Sequence, residues 1–136
     1  MKTLSSATGS LVIHSVRLVD RGEIAEDAWV RIEDGVVVAR GTGTDWEPAT
    51  EVVDGTEVAG AGALLTPGFV DIHGHGGAGA AYDDGVDAIR TGRNLHRTHG
   101  TTRAVISLVT GTIDDLARSV ALIAALTRTD GDVLGS

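Results

Sequence analysis

Pro67-Gly68-Phe69-Val70-Asp71-Ile72-His73-Gly74-His75-Gly76-Gly77 reads as a short strand that ends in two histidines and opens into a glycine-rich loop. Side chains on a strand alternate between faces, so Phe69, Asp71, His73 and His75 point one way and Val70 and Ile72 the other. The two imidazoles then rise from one face, roughly 6.6 Å apart along the strand. Zinc–nitrogen bonds are about 2.0–2.1 Å and the rings add reach, so both nitrogens can converge on one cation. Pro67 has no N–H for a ladder and marks the strand start. The glycines after His75 let the backbone bend sharply. The spacing predicts half of a metal site at the C-terminal end of a strand. The competing reading is two hydrogen-bonded core or rim histidines, since a lone His-x-His is also found in that role.

Downstream, the pattern alternates between strands and helices. A helix is expected from about Asp84 to His99, with Asp83 or Asp84 as its cap and Gly100 as its stop. Residues 104–109 (AVISLV) form an apolar run of the kind buried on both faces of a sheet. Thr112-Ile113-Asp114-Asp115 resembles a capping box. The helix it opens places Ile113, Leu116, Ala117, Val120, Ile123 and Ala124 at a 3.6-residue period, predicting a core stripe. Asp130-Gly131-Asp132 is a turn, and Val133-Leu134 begins another strand. Strands alternating with helices imply a parallel sheet, either doubly wound or a (β/α)8 barrel.

Upstream, residues 11–20 (LVIHSVRLVD) and 28–33 (AWVRIE) read as strands. Asp34-Gly35 is a two-residue hairpin signal, with residues 36–40 as the partner strand. Residues 41–50 are a polar loop, and 51–59 and 63–65 read as further short strands. Residues 1–65 therefore look like a small antiparallel β module, and 66–136 like the start of an α/β unit.

Of the other histidines, His14 lies inside a strand and reads as structural. His96 and His99, at i and i+3, can in principle share a metal. The simpler reading is polar residues near a helix C-terminus, where positive charge is favoured. Asp71 is a candidate orienter of an imidazole N–H; its alternative role is to satisfy backbone donors. Gly74-His75-Gly76-Gly77-Ala78-Gly79 matches G-x-G-x-x-G literally. The strand at 104–109 nevertheless ends in Thr110-Gly111, without the carboxylate that a dinucleotide site needs.

Composition narrows the function classes. The 136 residues are the size of one ordinary domain, and the 42% apolar content suffices for a core. Aromatics make up only 3%, so that core must be aliphatic. A formal charge of -8 argues against nucleic acid and anionic membranes as partners. With no cysteine, any metal must be held by histidine and carboxylate. The N-terminus lacks an apolar signal region and no run reaches the roughly 18 residues of a span. These features lead to the expectation of a cytoplasmic protein.

The stretch PGFVDIHGHGG resembles the first barrel strand of the metal-dependent amidohydrolase superfamily. Within it, HGHGGAG followed by HGTTRAVISLVTGTIDDL is similar to the N-acetylglucosamine-6-phosphate deacetylase family. The resemblance implies the N-terminal part of a (β/α)8 barrel preceded by a small antiparallel β-sandwich module, with the barrel incomplete. It implies one or two divalent ions, commonly zinc, with His73 and His75 at the first metal position. The implied substrate is a small phosphorylated amino sugar, hydrolysed to glucosamine 6-phosphate and acetate by a homo-oligomeric enzyme. The family's later glutamate ligand, in a His-Leu-Glu-Gly-Pro segment, and its catalytic aspartate have no counterpart up to Ser136. A barrel of this type has about 250 residues. The chain is therefore expected to be an N-terminal part that is inactive alone. A cyclic-amide hydrolase of the dihydroorotase or hydantoinase kind and a non-enzymatic metal- or partner-binding domain are the alternatives.

Overall fold

A computed structural model describes residues 9–136. The chain divides in sequence between Pro67 and Gly68 into two compact units.

The first unit contains β1 (Ser10–Asp20), β2 (Glu23–Glu33), β3 (Val36–Thr42), β4 (Glu51–Asp54), α1 (Gly55–Ala59) and β5 (Leu64–Leu65). Two tight turns build its meander. Arg21-Gly22 and Asp34-Gly35 each place both central residues at positive φ, 52° and 80° in the first and 48° and 79° in the second. That is the backbone whose twist suits a two-residue hairpin. Val16, Ala28 and Ala63 are buried at the centre of this unit, with Ile13, Leu18, Ala25 and Leu65 packed around them.

Beyond the meander, strand direction differs from the expectation. The sheet order is β3-β2-β1-β4, and β4 and β5 both pair with β1 in parallel. The chain leaves β3 and crosses through residues 43–50 to the far side of β1, so the connection is a crossover rather than a hairpin. The strand expected over 51–59 also stops early, at Asp54. There the Asp54 carboxylate accepts the Thr56 N–H at 2.8 Å and caps α1. Gly55 permits the switch: a Cβ there would lie 2.3 Å from Val16 Cγ1.

The second unit contains β6 (Phe69–Gly74), β7 (Gly76–Gly77), β8 (Ala80–Ala81), a 3-10 turn (Tyr82–Asp84), α2 (Val86–Thr98), β9 (Thr101–Ile106), α3 (Ile113–Leu126) and β10 (Val133–Gly135). β10, β9 and β6 form a parallel sheet in that order. Each parallel pair is joined through a helix, as parallel neighbours require. Tyr82, Ile89, Ala104, Ile106, Ile123 and Val133 form the core, with Leu108, Leu122 and Leu126 packed on it. No helix among the described residues is long and apolar enough to cross a membrane.

Three local expectations change here. First, neither Asp83 nor Asp84 caps α2; the cap position is Gly85, at φ 104°, with no side-chain bond. The 3-10 turn carries both aspartates away from the helix start, and Asp83 Oδ1 instead accepts the Val109 N–H at 3.1 Å. Second, the glycine-rich loop contains a small hairpin. β7 and β8 pair antiparallel across Ala78 (φ 54°) and Gly79 (φ 78°). Third, the Thr112 cap of α3 forms as expected, its hydroxyl accepting the Asp115 N–H, but the helix is turned. Leu116, Ser119, Leu122, Ile123 and Leu126 face inward, while Ile113 is 86% exposed and Val120 47%. At about 100° per residue, this inward face lies roughly a quarter turn from the expected stripe. Leu122 and Leu126 are as apolar as the residues they displace, so periodicity did not separate the two faces.

Candidate metal centre

The site is built at the C-terminal end of β6. β9 runs beside it, with Gly74 opposite Ile106, and the Ser107 N–H donates to the Gly74 carbonyl at 2.9 Å. This fixes the backbone between the two histidines. His73 and His75 are both exposed, yet their rings converge. Their Nε2 atoms lie 3.3 Å apart, with the rings nearly perpendicular at 87°.

That separation is informative. Two nitrogens bound tetrahedrally to zinc at about 2.05 Å would sit about 3.3 Å apart. A shared proton, with one imidazole donating to the other, gives the same contact without a metal. The donor set suits a borderline-soft divalent cation in either state of occupancy: two imidazoles, no thiolate, open on one side.

His73 is also held from behind. Its Nδ1 lies 3.2 Å from Ser107 Oγ. When Nδ1–H donates to this hydroxyl, Nε2 keeps its lone pair for a cation. Asp71 does not take the orienter role; its Oδ1 accepts the His73 backbone N–H at 3.0 Å. A Cβ at Gly74 would lie 2.7 Å from the other Asp71 oxygen, so glycine leaves room for that carboxylate.

Behind the strand end lies Tyr82, only 2% exposed, whose N–H donates to the His75 carbonyl at 2.9 Å. Its hydroxyl has no hydrogen-bond partner among the described residues. Burial pushes the phenol pKa above its usual 10.0, the Asp71 carboxylate adds to the rise, and the Arg93 guanidinium opposes it. Arg93 is itself buried. It pairs with Asp130 at 2.8 Å and Asp132 at 3.4 Å, tying α2 to the turn before β10.

The remaining histidines stay apart from the pair. His14 stacks on Trp46, ring centres 5.0 Å apart, and pairs with Ser15 Oγ. His99 Nδ1 lies 3.0 Å from the Leu95 carbonyl and 3.1 Å from Thr98 Oγ1, within its own helix end. His96 Nε2 reaches the Gly76 carbonyl at 2.9 Å. Among the described residues, no group of three or more His, Cys, Asp or Glu is placed to hold a metal. The G-x-G-x-x-G stretch folds into the β7–β8 hairpin instead of a strand-to-helix phosphate turn. Sequence reasoning missed Ser107, Tyr82 and Arg93. The apolar run at 104–109 contained a single polar residue, Ser107, at the end of the neighbouring strand, which is the one signal that could have pointed to it.

No family model matches the chain. The N-acetylglucosamine-6-phosphate deacetylase of Bacillus subtilis is 35% identical over 71 residues, which are 52% of this chain and 17% of that protein. A structure of N-acetyl-D-glucosamine-6-phosphate deacetylase from Mycobacterium smegmatis, an aspartate-to-alanine mutant in complex with N-acetyl-D-glucosamine-6-phosphate, is 31% identical with a TM-score of 0.74. That match covers 91% of this chain and 31% of the solved one. The deacetylase of Pasteurella multocida superposes with a TM-score of 0.80 at 16% identity, over 93% of this chain and 33% of its own; this match speaks for the fold alone. The chain thus spans about a third of the solved deacetylases and a smaller share of the curated one. It is similar in sequence to the Bacillus subtilis and Mycobacterium smegmatis enzymes, and the fold is that of the amidohydrolase (β/α)8 enzymes, of which it matches a part.

Proposed function

We propose that this chain carries the first metal-binding pair, His73 and His75, of an N-acetylglucosamine-6-phosphate deacetylase. The observation that carries the reading is the 3.3 Å approach of the two Nε2 atoms, in a chain 31% identical to a deacetylase solved with its sugar phosphate.

A divalent ion there, zinc by donor chemistry, supplies Lewis-acid activation of water and of an acetamide carbonyl. The chain's own residues prepare the place. His73 and His75 offer neutral nitrogens at the ligand spacing. Ser107 holds the His73 ring by its far nitrogen, and Asp71 ties down the backbone between ring and strand. Both rings stand at an exposed rim, where a small phosphorylated amino sugar has access. The products are glucosamine 6-phosphate and acetate. The cysteine-free, acidic composition suits a cytoplasmic setting for this activity.

A segment exchange tests the reading. Residues 9–136 replace the matching part of the Mycobacterium smegmatis deacetylase, and acetate release from N-acetylglucosamine 6-phosphate is measured with zinc present. Retained turnover that disappears with His73→Ala and with His75→Ala is expected. A folded chimera whose turnover ignores both substitutions, or that acts on a cyclic amide instead, overturns it.

A further inference from the structure

His96 reaches from its own helix to the backbone of another element. It sits on the last turn of α2, half-buried, and its Nε2 lies 2.9 Å from the carbonyl of Gly76, twenty residues away. Gly76 directly follows His75. A carbonyl only accepts, so Nε2 is the donor, and this holds for the neutral Nε2–H tautomer and for the cation alike.

The surroundings make this contact a latch on the His75 backbone. The His75 carbonyl already accepts the Tyr82 N–H. Gly76 adopts φ 145° and pairs with Ala81. α2 presses onto the next residue: a Cβ at Gly77 would lie 3.1 Å from His96 Nε2 and 3.3 Å from the Gly92 carbonyl. A Cβ at Gly92 would in turn lie 2.9 Å from the Gly77 nitrogen. Two glycines thus let helix and hairpin touch backbone to backbone, and His96 is the side chain that bonds across the contact. Glycine-rich segments have the most conformational freedom to lose, so a directional bond beside His75 narrows the backbone positions from which that ring projects.

We infer that His96 is a positioning residue for the His73–His75 pair, acting through the Gly76 carbonyl rather than as a ligand. This rests on the metal reading above. Partners that orient a metal ligand set affinity by pre-arranging the donor, and losing one typically costs 10–100-fold; His96 acts one step further out, through the backbone that follows His75.

The test measures zinc affinity of the 136-residue chain by competition with a chromophoric chelator, beside thermal unfolding in EDTA. His96→Ala is expected to weaken zinc about tenfold or more, and His96→Gln, whose amide can donate to the same carbonyl, to stay within about threefold of the native chain. A purely structural histidine would lower the unfolding temperature while leaving the affinity of the folded fraction unchanged, and that result overturns the inference. Equal weakening by Ala and Gln overturns it too. The two readings fail differently. If the native chain shows no zinc binding that depends on His73 and His75, the metal reading falls and takes this one with it. If the native chain binds and His96→Ala binds equally well, only the His96 role falls.

Discussion

Ser107 Oγ lies 3.2 Å from His73 Nδ1, across the step from β9 to β6. The two residues are 34 positions apart and meet because parallel pairing sets Gly74 opposite Ile106. The hydroxyl can hold the imidazole in the tautomer that leaves Nε2 bare. Ser107→Ala is expected to weaken zinc binding about 10-fold, at the lower end of such losses, with Ser107→Thr close to native. Unchanged affinity in Ser107→Ala, measured by chelator competition, would show that the ring needs no such partner.

The Arg93 network predicts an asymmetry in stability. Arg93 has a 7% exposed side chain, whereas Asp130 and Asp132 are each 36% exposed. Removing a carboxylate leaves a buried cation short of charge; removing the cation leaves carboxylates that water can reach. Asp130 also accepts the Asp132 N–H at 3.0 Å. Asp130→Ala is therefore expected to cost about 2–3 kcal/mol, below the roughly 3–5 of a fully enclosed pair, and Arg93→Met about 1 kcal/mol. Urea unfolding followed by circular dichroism orders the two; the reverse order would mean that the pair is solvated in solution.

Tyr82 predicts a pH effect at the alkaline end. Its phenol pKa is raised in the folded chain, chiefly by burial and then by Asp71. Below the usual tyrosine pKa of about 10 both folded and unfolded chains are protonated there, and the full contribution is present. As pH rises past that value the unfolded chain ionises first, so stability is lost up to the folded pKa. Tyr82→Phe should flatten this loss. At neutral pH the same change removes a buried hydroxyl that has no partner among the described residues, so it is expected to be neutral or stabilising by up to about 1 kcal/mol. A clear loss of stability in Tyr82→Phe at neutral pH would reveal a hydrogen bond to that hydroxyl.

What could be read from the sequence follows from range. The Asp34-Gly35 turn, the strand carrying His73, the Thr112 cap and the alternation of strands and helices after Pro67 are local signals, and the structure has each of them. α1 was hidden because EVVDGTEVA reads like a strand, whereas Asp54 caps a helical turn there and the close fit that calls for glycine at 55 is against Val16, 39 positions away. The parallel placement of β4 and β5 depends on where a crossover lands, which no turn residue announces. The same holds within the site. His73 and His75 are two residues apart and legible together. Their supports Ser107 and His96 come from other elements, at separations of 34 and 20 residues, and only pairing and packing bring them in.

The last expectation concerns turnover by the 136-residue chain itself. A catalytic zinc site uses about three protein ligands and keeps a position open for water or substrate. Here two exposed imidazoles converge, and among the described residues no third His, Cys, Asp or Glu is placed to hold a metal together with them. Two neutral ligands hold a cation loosely, and little in such a site fixes a substrate against it. Zinc is expected to bind weakly, with binding lost in His73→Ala and in His75→Ala. Acetate release from N-acetylglucosamine 6-phosphate should stay at the background rate whether or not zinc is added. Turnover above background that depends on both histidines would mean that the chain completes its coordination in a way two rings alone do not explain, for instance by bringing the pairs of two copies together, and sedimentation of the zinc-loaded protein would separate that case from a monomer.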